Sequence, residues 1–256
     1  MEDLLKKFTV KDLQKAINLT STKYSRTIKA TSDKSDFRIH FPININLDND
    51  LNYELGLMWF TSYNTIYNIT NENNIFNFSK DGGKTFQTII INPGAYEIKE
   101  IDSEIKTKTG LKDLISIQPQ ISTGKVIMTL GENIQIDFIK KYSLNELLGF
   151  EKKVYKNKIN YGENLAKITN ITDINIECDL VNGNYSNGNL DNILYSFPAN
   201  TVPLGYKFIE RMNPPNYLPV SRKVISEIHI RIVDQDGKII NFNGEKINLY
   251  LHLKQV

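Results

Sequence analysis

A mainly β, antiparallel fold is what this sequence predicts, and three observations predict it. The C-terminal stretch alternates: Ile228, Ile230 and Ile232 are apolar with Glu227, His229 and Arg231 between them. Ile247, Leu249, Leu251 and Leu253 then alternate with Lys246, Asn248, Tyr250, His252 and Lys254. Near the other end Phe37, Ile39, Phe41, Ile43 and Ile45 keep the same period of two. That period is the mark of a strand with one face buried and one wet. Finally, turn formers such as Gly82-Gly83, Pro93-Gly94, Asp236-Gly237 and Asn243-Gly244 punctuate the apolar runs, supplying the backbone conformations that tight connections need.

With 256 residues the chain can bury a full core, as one large β domain or two smaller ones. A net charge of +2 gives no strong sign of nucleic-acid binding, and a single cysteine, Cys178, excludes an internal disulfide framework. No N-terminal apolar run resembles a signal peptide or a membrane span, so the expectation is a chain made intracellularly and kept reduced. The Asn-X-Ser/Thr triplets at Asn18, Asn68, Asn77, Asn170 and Asn184 then follow from an Asn-rich composition rather than from glycosylation.

In chain order, residues 3–17 carry Leu4, Leu5, Phe8, Leu13, Ala16 and Ile17 among charges, a short amphipathic helix that packs either on its own domain or on a neighbouring subunit. Residues 18–36, rich in Ser, Thr and Lys, read as a flexible connector. Together 1–36 form an arm with eight Lys/Arg against five Asp/Glu. From Phe37 the pattern turns to strands, the first of them an edge strand because Pro42 cannot donate to a ladder. Tyr53–Thr61 holds the only tryptophan, Trp59, and 73–78 with 85–91 flank a Gly-Gly hairpin turn. Ile98, Ile101 and Ile105 lie at helical spacing, which places a surface helix over 96–108. Strands follow at 114–118, 125–130 and 133–138. Ser143 with Glu146 reads as a capping box for a short helix ended by Gly149. Lysine-rich residues 151–167 read as an exposed linker, after which strands resume at 168–181, 193–197 and 206–211. The C-terminal strands, with a short one at 238–242 between them, read as an antiparallel meander.

The search for chemistry assigns no catalytic, cofactor-binding or metal-ligating residue. His40, His229 and His252 lack an HExxH or CxxC companion; His229 and His252 sit on the polar faces of strands read as neighbours, where solvated side chains are the favoured reading. Cys178 follows the apolar parity of Ile174 and Ile176, which points to an inert buried thiol. Glu97, Glu100, Asp102 and Glu104 on the surface helix lack the cleft that acid/base work needs. The chain is therefore read as a non-enzyme.

Several runs carry a resemblance. Ile193-Leu194-Tyr195-Ser196-Phe197, Val202-Pro203-Leu204-Gly205-Tyr206-Lys207, Tyr217-Leu218-Pro219-Val220, Asp234-Gln235-Asp236-Gly237 and Leu251-His252-Leu253-Lys254, with Asn92-Pro93-Gly94-Ala95-Tyr96 and Leu147-Leu148-Gly149-Phe150 upstream, resemble the minor capsid (penton) proteins of Maverick/Polinton elements and adintoviruses. Leu204 stands where that pattern has a second proline. The resemblance implies an antiparallel single jelly-roll sandwich with a few short helices, forming a homopentamer at the five-fold vertices of a virion beside a double-jelly-roll major capsid protein. Within such a fold we expect a split domain, 37–92 plus 161–256, with 93–160 inserted as an α+β elaboration; the basic excess of the 1–36 arm is read first as a solvated linker, with weak nucleic-acid contact as the other reading. Two consecutive domains cut near 155 are the alternative division. The alternative function is a receptor- or carbohydrate-binding jelly roll, which needs Trp59, Tyr63 or Tyr67 clustered in a groove. A cupin-like enzyme would need inward His and Glu, which these histidines do not supply.

Overall fold

A computed structural model describes residues 24–168, 171–186 and 188–256. The helix expected over 3–17 lies outside them. The chain enters through β1 (Ser25–Ser32), β2 (Asp36–Asn46) and β3 (Tyr53–Tyr63). It then runs through β4 (Ile75–Ser79), β5 (Gln87–Ile90), α1 (Ile98–Thr109), β6 (Ile115–Gln120), β7 (Lys125–Leu130), β8 (Gln135–Asp137), α2 (Asn145–Leu148), β9 (Val154–Tyr155) and β10 (Ile159–Tyr161). It returns through β11 (Asp173–Cys178), a small hairpin of β12 (Asn184–Ser186) and β13 (Asn189–Asp191), β14 (Ile193–Pro198), β15 (Lys207–Arg211), β16 (Tyr217–Pro219), β17 (Val224–Val233) and β18 (Ile247–Gln255).

Two antiparallel sheets share the larger core. One has the order β1-β18-β3-β15, with β16 beside β15 on the same edge of β3; the other has the order β14-β11-β17-β2. Their inner faces supply one continuous apolar cluster, in which Leu55, Phe60, Ile176, Ile230, Leu249 and Leu251 are fully buried. From β1 to β3 the chain crosses between these sheets at each step, and it does so again from β14 to β15, from β16 to β17 and from β17 to β18, with only β15 and β16 following one another in the same sheet, which is the wiring of a jelly roll. Two bulges keep large residues inward where strict alternation would expose them. The register shift between Ile225 and Glu227 turns both Ile225 and Ile228 to the core, and the shift at Tyr250/Leu251 does the same for Leu57 and Phe60 of β3.

The segment between β3 and β11 builds a second core. Ile69, Phe76, Phe78, Ile91, Ile101, Ile105, Ile117, Met128, Phe138 and Phe150 bury together between a sheet β5-β4-β8-β9, a sheet β10-β7-β6 and α1. Glu97 and Glu100 close the N-terminus of α1 as a capping box, and Gly110, in the left-handed region, ends it. The buried Asp102 accepts the Ile117 N–H at 2.7 Å and so blunts the free edge of β6. Asn68 pins the junction: its amide donates to the carbonyls of Tyr96 and Ile168, and its oxygen accepts the Tyr96 N–H.

The structure corrects several expectations. Within 18–36, residues 25–32 form strand β1 rather than a connector; only Ile28 and Ala30 face the core, too few to show a period. The hairpin at 73–91 packs into the second core instead of the sandwich, because Phe76, Phe78 and Ile91 meet Ile101, Ile105 and Phe138 there. Residues 151–167 are not a plain linker: β9 and β10 pair with β8 and β7, and Tyr155 is buried against Phe138 and Phe150. Ser143 does not cap α2, since its hydroxyl donates to the carbonyl of Phe138. Most consequentially, the C-terminal strands are no meander. β17 and β18 lie in opposite sheets, and residues 238–242 form a connection between them that buries Ile240 and Phe242. Alternation shows which face of a strand is buried but does not name the neighbour.

Candidate functional site

The two wet faces of the sandwich differ in character. On the outer face of β14-β11-β17-β2 the charges answer one another: Arg38 meets Glu227 at 2.5 Å, His229 Nε2 meets Asp36 at 2.7 Å, and Arg231 meets Glu177 at 2.7 Å. Burial raises the Glu177 carboxyl, and the Arg231 charge opposes that shift.

On the outer face of β1-β18-β3-β15 aromatic rings and cations dominate. One row crosses all four strands, because Lys29 is paired with Tyr250, Tyr250 with Trp59, and Trp59 with Arg211. The Trp59 and Tyr250 rings lie 4.1 Å apart between centroids, tilted by 43°. A second row sets Thr27, His252, Gly56 and Tyr217 side by side. Gly56 carries no side chain because the Tyr217 ring occupies that space: a Cβ there would stand 2.9 Å from it. His252 is held between Ser25 Oγ, 2.8 Å from Nε2, and the Tyr217 hydroxyl, 2.7 Å from Nδ1. Lys29 lies over Tyr250, Lys254 over Tyr217 and Lys207 over Tyr63. Four cations, Lys29, Lys207, Arg211 and Lys254, share this face with one acid, Glu54, which pairs with Lys254 at 3.5 Å.

The residues weighed for chemistry from sequence are not brought together. His229 and His252 lie on opposite sheets, so they are not neighbours, contrary to the expectation from a meander. Among the described residues no group of three or more His, Cys, Asp and Glu is placed to hold a metal ion. Cys178 is fully buried, and burial pushes its thiol up to about 12. Of the α1 carboxylates, Glu97 and Glu100 cap the helix and Asp102 clamps β6, while Glu104 lies 3.8 Å from Lys108. Of the aromatics considered for a sugar groove, Tyr67 lines a cavity of about 720 Å³ at the junction of the two cores, whereas Trp59 and Tyr63 do not. Sequence reasoning missed the Lys29-Tyr250-Trp59-Arg211 row, since its members come from strands far apart in the chain; only the polar parity of each strand hinted at it.

The second core carries its own charged knot. Glu163 accepts hydrogen bonds from the Tyr155 hydroxyl at 2.6 Å, from Lys153 at 2.6 Å and from the Glu151 N–H at 3.1 Å. Burial alone would raise its carboxyl, but these donors outweigh burial and hold it at about 2. Because this value is depressed from the usual 4.5, the stabilisation is complete above pH 4.5 and is lost as the pH falls towards 2. The Glu163→Gln variant should therefore be less stable than the parent at neutral pH, with the gap closing across that window, as read by urea midpoints at stepped pH.

No family model matches this chain, and no curated protein matches it. Among solved structures, the crystal structure of selenomethionine-labelled mavirus penton protein aligns with 91% of this chain and 100% of its own, at 13% identity and a TM-score of 0.46. The chain is similar to that penton protein. No helix among the described residues is long and apolar enough to cross a membrane.

Proposed function

We propose that this chain is a structural capsid protein, the subunit of a homopentamer at the five-fold vertices of an icosahedral virion, where it meets a double-jelly-roll major capsid protein. One observation carries the reading: the runs that resemble minor capsid proteins fall on the parts that organise a jelly roll. Ile193–Phe197 lies in β14, Val202–Lys207 leads into β15, Asp234–Gly237 opens the crossing from β17, and Leu251–Lys254 lies in the central strand β18. The runs Asn92–Tyr96 and Leu147–Phe150 fall in the second core, which we take as an inserted unit spanning 64–168. Fold by itself does not name a function, and the sequence runs supply what the fold leaves open. In this role the chain acts by packing and carries no catalytic centre. A closed five-fold ring needs two different patches of each subunit to meet.

Native mass spectrometry of the purified chain over a range of concentrations is the test. A pentamer is the expected result; a stable dimer or trimer would overturn the vertex reading.

A further inference from the structure

We infer that the outer face of β1-β18-β3-β15 is a binding platform for single-stranded nucleic acid, with Trp59 and Tyr250 as the stacking rings and Lys29, Arg211 and Lys254 as phosphate contacts. The cross-strand register puts a cation at each end of an aromatic pair, Lys29-Tyr250-Trp59-Arg211, in one line across the sheet. A strand of nucleic acid offers the complementary order, flat bases to stack on rings and phosphates to meet cations. The charges support this occupant. Among the described residues Lys29, Lys207 and Arg211 have no acidic partner within ion-pair distance, while the opposite sheet face is laced with ion pairs. Protein interfaces are depleted of lysine at their centre, so a face that lays three lysines over its own aromatic rings fits a polyanion better than a second copy of this chain. The face is a sheet surface rather than a cleft, which suits an extended strand whose bases are unpaired and free to stack. It reads no sequence, because rings and cations accept every base alike. The inference does not depend on the vertex role.

Trp59 is the only tryptophan in the chain, so its fluorescence reports on this face alone. Titration of the full chain with oligo(dT) at low salt should quench that emission. The logarithm of affinity should fall with the logarithm of salt concentration at a slope of about −2, as expected for three phosphate contacts on a single strand. A Lys29→Ala/Arg211→Ala double variant, altered only at exposed side chains, should bind at least about tenfold more weakly and with a shallower slope, while Tyr185→Ala on the distant β12-β13 hairpin leaves binding unchanged. Absence of quenching at low salt would overturn the inference. So would quenching that the double variant does not weaken. Emission that changes with protein concentration and not with added oligo(dT) would overturn it as well, and would assign the face to a second copy of the chain.

Discussion

Phe60→Ala is expected to destabilise the sandwich by about 3–5 kcal/mol, enough to remove much of the margin by which an ordinary domain stays folded. Phe60 lies on β3 with no exposed surface, and its ring packs against Phe197 of β14 at 5.2 Å and Phe242 of the β17-β18 crossing at 6.3 Å. It thereby joins both sheets and the connection between them at one point. Phe197 and Phe242 in turn touch Phe208, so truncating Phe60 opens a hole that rigid rings cannot fill by small shifts. Denaturant unfolding followed by hydrogen exchange should show the loss concentrated in β3, β14 and β18. A cost below about 1 kcal/mol would mean that the cluster repacks and that Phe60 does not lock the two sheets together.

The second large effect is expected at Gly149→Ala. Gly149 adopts φ +77°, a conformation that costs an L-residue roughly 1–2 kcal/mol by itself. Space makes it worse. A Cβ there would stand 2.3 Å from the Asn164 carbonyl oxygen and 2.9 Å from that of Leu165, and both obstacles are backbone, which cannot rotate aside. The contact is required by the fold, since the Asn164 N–H donates to the Gly149 carbonyl at 2.9 Å. The alanine must therefore push the returning segment away, for a total of about 3 kcal/mol or more, with faster amide exchange across 147–166 as the local signature. Unchanged exchange there would show that the segment tolerates displacement.

Much of this was legible in sequence because burial writes itself as alternation. The parities of β11, β17 and β18 predict their buried residues, and Ile98, Ile101 and Ile105 predict α1. What the alternation lacks is partner identity. Ile228–Ile232 and Ile247–Leu253 look like consecutive hairpin strands, yet the residues between them cross the sandwich and bury Ile240 and Phe242 on the way. Short edge strands escape for a different reason: β1 turns only Ile28 and Ala30 inward, and β10 only Asn160. The basic aromatic face was illegible because Lys29, Trp59, Arg211 and Tyr250 become a row only through pairings that span most of the chain.

The central place of β18 bears on the order in which the chain can fold while it is being synthesised. β18 separates β1 from β3 in its sheet, yet every other strand of the sandwich leaves the ribosome before it. Until residues 247–255 emerge, β1 has no neighbour among the described strands, and β3 carries Leu55, Leu57 and Phe60 beside an open slot. The core around Phe76, Ile101, Met128 and Phe138 is complete by residue 168 and closes on local contacts, so it can form early on the nascent chain. Translation thus leaves half of the molecule folded and the other half exposing a sticky, unfilled sheet until the last strand drops into its middle.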